Sequence, residues 1–271
     1  MVKIPRALTV AGSDPSGGAG IQADLKTFTA LGVYGMSAIT SITVQNTEGV
    51  LYRSDVPPQV VYDQIKAVVE DIGVDSAKTG MLAGADTVIS VAKAVRDFRI
   101  DRLVVDTVLS SKGGYHLLEK EGIDALVREL FPLALLITPN IPEAQLLCGG
   151  DITRLRDIEL CAKKLLSKGP RAVLIKGGHM EGDKVIDVLY TGGEEFHYFV
   201  GDRVRTPNTH GTGCTLSAAI TAFLAKGVDF YEAVRKAKEY TQKAIENSLP
   251  LGKGAGPLKH YWNVEECSEK L

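Results

Sequence analysis

Thr206-Pro207-Asn208-Thr209-His210-Gly211-Thr212-Gly213-Cys214 and the run after it, Thr215-Leu216-Ser217-Ala218-Ala219-Ile220-Thr221-Ala222-Phe223-Leu224-Ala225-Lys226-Gly227, decide how this chain is read. Apolar residues at 216, 219, 220, 223 and 224 follow the spacing of one buried helix face. Lys226 and Gly227 form a suitable stop, so a helix of about three turns is predicted to begin near Gly213. A helix N-terminus presents unpaired N–H groups and about half a positive charge, which suits an anion. Gly211 and Gly213 would let a phosphate come close to the backbone. The same residues could also be a plain small-residue loop before a tightly packed helix. Cys214, a thiol at the helix start, and motifs elsewhere favour the anion site.

Working outward, strands and helices alternate. Ala7–Ala11 is an apolar strand cut by the glycine-rich loop 12–20, and a helix follows over 21–31. Further strands are predicted at 36–44, 76–79, 102–106, 133–138 and 172–176, with helices at 57–71, 86–98, 157–167 and 231–247. Pro57 and Pro58 suit the first turn of their helix. Repeated βα units argue for a doubly wound, mostly parallel α/β sheet. Runs such as Leu103–Val105 and Val173–Ile175 suit burial on both faces. Residues 185–190 and 195–200 flank Thr191-Gly192-Gly193-Glu194 and read as an antiparallel hairpin at a sheet edge. Residues 252–257 read as a flexible or turn-rich tail. No repeat, linker or low-complexity tract divides the 271 residues, so one domain over 1–271 is expected.

Composition narrows the function. A net charge of −2 without a Lys/Arg block argues against nucleic acid as the main ligand. No signal-peptide core or membrane-length apolar window is present. The four cysteines show no CxxC or zinc-like spacing, and the expectation is a reduced, cytoplasmic, soluble protein. Gly12, Gln45, Gly80, Asp106, Asn140 and Lys176 all fall just past predicted parallel strands, where open α/β sheets bind ligands. A P-loop is absent, because Gly18 stands where its lysine would be. GxGxxG, HExxH and GxSxG are absent as well.

The residues suit phosphoryl transfer, which needs positioning and charge neutralisation more than covalent chemistry. Lys176 can touch nucleotide phosphates as a point charge. Glu143 and Asp106 offer hard oxygen ligands for Mg²⁺, directly or through water. The amides of Gly211, Thr212, Gly213 and Cys214 could stabilise charge on the transferred group. Cys214 could take the proton of an acceptor hydroxyl, its thiol lowered by the helix N-terminus, or could be only a small packing residue.

The chain resembles the ribokinase-like superfamily, and within it the bacterial hydroxymethylpyrimidine and phosphomethylpyrimidine kinases of thiamine synthesis. Ala11-Gly12-Ser13-Asp14, Gly17 to Thr27, Thr43-Val44-Gln45-Asn46-Thr47, Lys78-Thr79-Gly80-Met81-Leu82, Thr138 to Ala144, Leu174 to His179 and His210 to Cys214 carry the resemblance in order along nearly the whole chain. It implies a three-layer fold, MgATP as phosphoryl donor and a homodimer. It also implies that Gln45 and Asp24 hold the pyrimidine, with Gly12, Met81 and Val108 lining the pocket. Asn140, Lys176, Thr209 and Gly213 match nucleotide positions, and Glu143 and Asp106 the metal. Gln45 can donate and accept together, as an aminopyrimidine edge requires. Gln45 could instead cap a turn, Met81 fill the core and Asp24 face solvent. Two stretches depart from the family pattern. Asp106-Thr107-Val108-Leu109 replaces Asp-Pro-Val-Met, and Lys253-Gly254-Ala255-Gly256-Pro257 replaces a His-Gly-His-Gly-Pro-like tail, with changes expected in pocket shape and in the cover over the nucleotide.

The implied activity is phosphorylation of 4-amino-5-hydroxymethyl-2-methylpyrimidine and then of its monophosphate. Alternatives are a vitamin B6 kinase of the same branch and a non-catalytic ligand sensor on this fold.

Overall fold

The computed structural model describes residues 3–109 and 117–264; Cys267 lies outside them. One sheet of nine strands runs through the described residues: β1 (Arg6–Ser13), β2 (Tyr34–Gln45), β3 (Val50–Asp55), β4 (Ser76–Thr79), β5 (Leu103–Val105), β6 (Leu136–Ile137), β7 (Val173–Ile175), β8 (Lys184–Tyr190) and β9 (Phe196–Asp202). Their spatial order is β3-β2-β1-β4-β5-β6-β7-β8-β9. The central strands β2, β1, β4, β5, β6 and β7 pair in parallel. The hairpin read from Thr191–Glu194 is β8–β9, antiparallel at one edge. A second antiparallel strand, β3, closes the other edge and is not foreseen by the sequence pattern.

Helices α1 (Gly20–Ala30), α2 (Pro58–Asp71), α3 (Ala85–Asp97), α4 (Lys120–Ala125), α5 (Ile141–Cys148), α6 (Leu155–Leu166), α7 (Thr212–Ala225) and α8 (Phe230–Glu246) cover the two faces. The short central strands show how the layers are sorted. Leu103 and Val105 pack with Val91 and Leu130 on one side, while Val104, between them, packs with Leu216 and Ile220 of α7 on the other. Successive side chains of a strand point to opposite faces, so a three-residue apolar run feeds both cores.

Helix α7 departs from the expected single buried face. Residues 215 to 222 are all buried, because α7 is held between α1, α8 and the sheet. Ala218 and Ala222 let α1 approach, beside Phe28 and Ala7. The polar residues on this helix are satisfied locally: Thr221 Oγ1 donates to Ser217 O at 2.8 Å. Strand 133–138 is shorter than expected, since Phe131–Leu133 forms a 3₁₀ turn carrying Pro132.

The expectation of uniformly reduced cysteines is corrected. Cys148, at the end of α5, and Cys161, within α6, form a disulfide with Cα atoms 5.9 Å apart. Thirteen residues of sequence separate them, and only the packing of α5 on α6 brings them together. No helix among the described residues is long and apolar enough to cross a membrane.

Candidate active site

The carboxyl ends of β1, β4, β5, β6 and β7 open on one cleft of about 800 Å³, ample for a small heterocycle beside a nucleotide. Gly12, Gln45, Gly80, Met81, Asp106, Val108, Asn140, Glu143 and Lys176 line it, together with Thr209 and Gly211 to Cys214 from the loop entering α7. Parallel strands point their C-termini the same way, so residues just past each strand converge.

At the centre is the turn before α7. Gly211 is its N-cap, with φ +80°, and a Cβ there would stand 1.8 Å from Gly18 O. Only glycine fits both the left-handed backbone and the close approach of the 14–20 loop. Thr212 N–H is bonded to Thr209 O at 3.4 Å, and the Thr212 hydroxyl donates to the same carbonyl at 2.9 Å. The next two amides, of Gly213 and Cys214, belong to the first turn, where no intrahelical acceptor exists. A Cβ at Gly213 would stand 3.2 Å from Lys176 Nζ, so the ammonium lies directly beside this turn.

Lys176 is held by Asp106, whose Oδ1 accepts from Nζ at 2.9 Å. Thr138 Oγ1 donates to Oδ1 at 3.0 Å, and Ser217 Oγ of α7 to Oδ2 at 3.1 Å. Burial opposes ionisation of Asp106, but the charges of Lys176 and Lys78 hold its carboxyl below the usual range. Burial likewise opposes the Lys176 ammonium, which Asp106 and Glu143 nevertheless hold above its usual range. Both therefore stay charged at neutral pH.

Asn140 and Glu143 form a capping box at the start of α5: Asn140 Oδ1 accepts from Glu143 N–H and Glu143 Oε2 from Asn140 N–H, each at 2.9 Å. Thr107, where the family pattern has proline, donates to the same Oε2 at 2.9 Å. Burial pushes the Glu143 carboxyl up. With Oε2 used twice, Oε1 is the oxygen left for a cation or its water. Among the described residues no cluster of three or more His, Cys, Asp or Glu side chains could hold a metal alone. Two carboxylates, of Asp106 and Glu143, beside the Lys176 ammonium nonetheless fit Mg²⁺, which keeps its waters and takes one or two protein carboxylates.

At the other end of the cleft, Gly12 and Met81 touch: a Cβ on Gly12 would fall 2.3 Å from Met81 Cε. Gln45 sits at a bulge between β2 and β3. Its carbonyl accepts from Thr43 Oγ1 at 3.2 Å, and its amide nitrogen lies 3.3 Å from His210 Nε2. His210 Nε2 is also 2.8 Å from Asp14 Oδ2. Burial works against the Asp14 carboxylate, yet His210 and Ser16 hold it below its ordinary range. The sequence reading passes over His210 as a site residue, although it directly precedes the Gly-Thr-Gly-Cys turn.

Three expectations are corrected. Asp24 neither faces solvent nor lines the cleft: its side chain is fully buried on α1, 2.9 Å from Lys78 Nζ. Cys214 is not lowered by its helix N-terminus, since burial pushes the thiol up to about 11 despite the nearby Lys78 charge. The glycine-rich tail is turn-rich and not loose. Ala255 N–H donates to Thr47 O at 3.0 Å and His210 N–H to Gly256 O at 3.1 Å, so the tail clamps the loops that carry Gln45 and His210.

Sheet order, converging strand ends and the amide turn beside a paired lysine define an α/β kinase of ribokinase-like architecture. The profile of the phosphomethylpyrimidine kinase family matches residues 14–259. The hydroxymethylpyrimidine/phosphomethylpyrimidine kinase of Bacillus subtilis is 44% identical over 260 residues, 96% of each chain. The thiamine biosynthesis bifunctional protein ThiED of Geobacter sulfurreducens is 47% identical over 263 residues; the alignment takes in 97% of this chain but 54% of that protein. Among solved structures, the ADP complex of Bacillus subtilis pyridoxal kinase superposes with a TM-score of 0.88 at 41% identity, covering 95% and 98% of the two chains. The phosphomethylpyrimidine kinase of Clostridium difficile superposes with 0.79 at 44%, covering 90% and 100%. The chain belongs to the phosphomethylpyrimidine kinase family.

Proposed function

We propose that this chain transfers the terminal phosphoryl of ATP, with Mg²⁺, to 4-amino-5-hydroxymethyl-2-methylpyrimidine and then to its monophosphate. The observation that carries this reading is the placement of the Gly211–Cys214 turn and Lys176 in one cleft with Gln45. The Gly213 and Cys214 amides and the Lys176 ammonium meet the transferred group's charge. Glu143 and Asp106 would hold Mg²⁺, which when bound would offset the negative charge of the phosphates. Asn140 and Thr209 face the nucleotide. Gln45, Gly12, Met81 and Val108 hold the pyrimidine with its hydroxymethyl arm toward Cys214, which accepts the hydroxyl proton.

We read residues 1–271 as one domain, acting in the cytoplasm as a homodimer. Ile42 and Val44 on β2 and Tyr52 on β3 are exposed, and Val44 lies beside Tyr52 within the sheet, so the three form an apolar patch that supports a dimer. Light scattering of Tyr52→Glu, expected to be monomeric, checks it.

Vitamin B6 phosphorylation is the second reading, favoured by the close superposition on a pyridoxal kinase. Measuring kcat/KM for the pyrimidine alcohol and for pyridoxal separates the two. A tenfold or greater preference for pyridoxal, about 1.4 kcal/mol, overturns the first reading.

A further inference from the structure

The transfer chemistry above leaves one buried imidazole without a role. His260, just past the glycine-rich tail, is 2% exposed, and burial pushes it down to about 4, so it is neutral at working pH. Its Nε2 lies 3.1 Å from Thr215 Oγ1 of α7, a side chain equally hidden from solvent. The acceptors assign the proton between them. Thr215 Oγ1 is 2.9 Å from Gly211 O, a carbonyl with no proton to give, so the hydroxyl donates there. A hydroxyl has one proton, so the other belongs to the imidazole, and His260 Nε2 donates to Thr215 Oγ1.

This chain of bonds ends at the site. Gly211 is the N-cap of α7, and its carbonyl also accepts from Thr215 N–H at 2.9 Å. The Gly213 and Cys214 amides lie inside the turn that those bonds close. From the far side, α8 holds the imidazole: Tyr240 Oη donates to His260 O, and Lys259 N–H to Ala244 O at 3.2 Å. The same segment meets the turn a second time, where His210 bridges to Pro257 and its N–H donates to Gly256 O at 3.1 Å. Residues 256–260 thus fix both ends of residues 210–215. Neither His260 nor Thr215 lines the cleft. Packing alone does not call for an imidazole here, since apolar groups in place of both partners of a buried hydrogen bond can be nearly as stable.

We propose that His260 is a positioning residue for phosphoryl transfer: by donating to Thr215 it commits that hydroxyl to the Gly211 carbonyl, and so fixes the direction in which the Gly213 and Cys214 amides point. The inference rests on the reading of this turn as the seat of the transferred group. His260 itself neither gives nor takes a proton in the reaction. Its contribution is preorganisation, which matters because donors aimed in advance at developing charge need no rearrangement at the moment of transfer.

His260→Leu removes the donor, His260→Gln keeps an N–H in nearly the same place, and Thr215→Val removes the hydroxyl. At saturating MgATP, well below each variant's melting temperature, kcat for the pyrimidine alcohol is expected to fall about tenfold in His260→Leu and in Thr215→Val, with KM changed less than about threefold. His260→Gln should recover kcat to within about threefold of wild type. The double variant His260→Leu/Thr215→Val should lose no more than about the larger single loss, because both act through one chain of bonds. A His260→Leu kcat within about twofold of wild type, a His260→Gln as slow as His260→Leu, or losses that multiply in the double variant overturn the proposal. Nuclear magnetic resonance reads the turn without turnover. Glycine labelled with ¹³C at the carbonyl and cysteine labelled with ¹⁵N leave Gly213–Cys214 as the one doubly labelled peptide, since the other cysteines follow Leu147, Leu160 and Glu266. Its amide signal should move in His260→Leu and in Thr215→Val and return toward the wild-type position in His260→Gln. A signal unmoved in His260→Leu also overturns the proposal. If the signal moves as stated but the wild type phosphorylates neither the pyrimidine alcohol nor pyridoxal, the function reading falls while the control of the turn by His260 stands.

Discussion

Gly211→Ala is the substitution whose effect the geometry fixes most tightly. The residue holds φ +80°, and its added Cβ would lie 1.8 Å from Gly18 O. The left-handed conformation costs about 1–2 kcal/mol for a residue with a side chain. A carbon–oxygen contact needs a little over 3 Å, so one loop must retreat by roughly 1 Å or more. The 14–20 loop cannot move freely, because Asp14 N–H is bonded to Gln22 Oε1 of α1 and Ala19 is the N-cap of that helix. The α7 entry therefore shifts, carrying the Gly213 and Cys214 amides away from the phosphoryl. A misplacement of this size costs about 10²-fold in rate, and loss of one donor about 10²- to 10³-fold. The assay is ADP release with the pyrimidine alcohol at saturating MgATP, well below the variant's melting temperature, alongside calorimetric binding of the alcohol alone. We expect kcat to fall at least about a hundredfold while the alcohol's Kd changes less than about threefold. A kcat within threefold of wild type would refute the reasoning.

Four further outcomes follow from the same geometry. Lys176→Ala removes the point charge beside Gly213 and leaves Asp106 buried without its cation, so steady-state kinetics should show kcat down about 10²- to 10³-fold, with a lower melting temperature. Thr107→Val deletes one of two hydrogen bonds to Glu143 Oε2 and should cost about 1 kcal/mol in denaturant unfolding, with a raised Mg²⁺ half-saturation in the kinetic assay. Because burial holds Cys214 near 11, its thiolate fraction grows about tenfold per pH unit below that value, and log kcat should climb with a slope near one from pH 7 to 9, without a plateau. His260, bonded to Thr215 Oγ1 at 3.1 Å, is pushed down by burial to about 4. The unfolded chain, titrating near 6.5, then binds the extra proton first, so about 3 kcal/mol of stability should be lost as pH falls from roughly 6.5 to 4. Melting curves of His260→Gln across that window should be flatter.

What the sequence could disclose was local. The apolar run 7–11 ending on Gly12, and Val173–Ile175 ending on Lys176, announce parallel strands because both faces of each are covered. Polar residues just past those runs then converge by topology alone. β3 is not legible because Leu51 and Tyr52 are exposed and Val50–Asp55 has no clean alternation at its sheet edge. Helix α5 is only eight residues long and hides behind Thr138-Pro139-Asn140, although its Asn140–Glu143 capping signature was available. Lys78 looked like an ordinary polar residue in a weak strand. Its burial depends on Asp24, 54 residues earlier, and no local pattern reports that pairing. The Cys214 thiol is illegible for a related reason: the helix start is visible in the letters, but the desolvation that outweighs it is tertiary.

The central claim concerns where the transferred group sits, and a crystal structure with both the pyrimidine alcohol and a non-hydrolysable ATP analogue measures it directly. The account predicts the terminal phosphoryl within hydrogen-bond reach of the Gly213 and Cys214 amides and beside Lys176, with the hydroxymethyl oxygen in line and toward the Cys214 sulfur. A terminal phosphoryl resting instead on the 14–20 loop, or a pyrimidine bound away from Gln45, would contradict it.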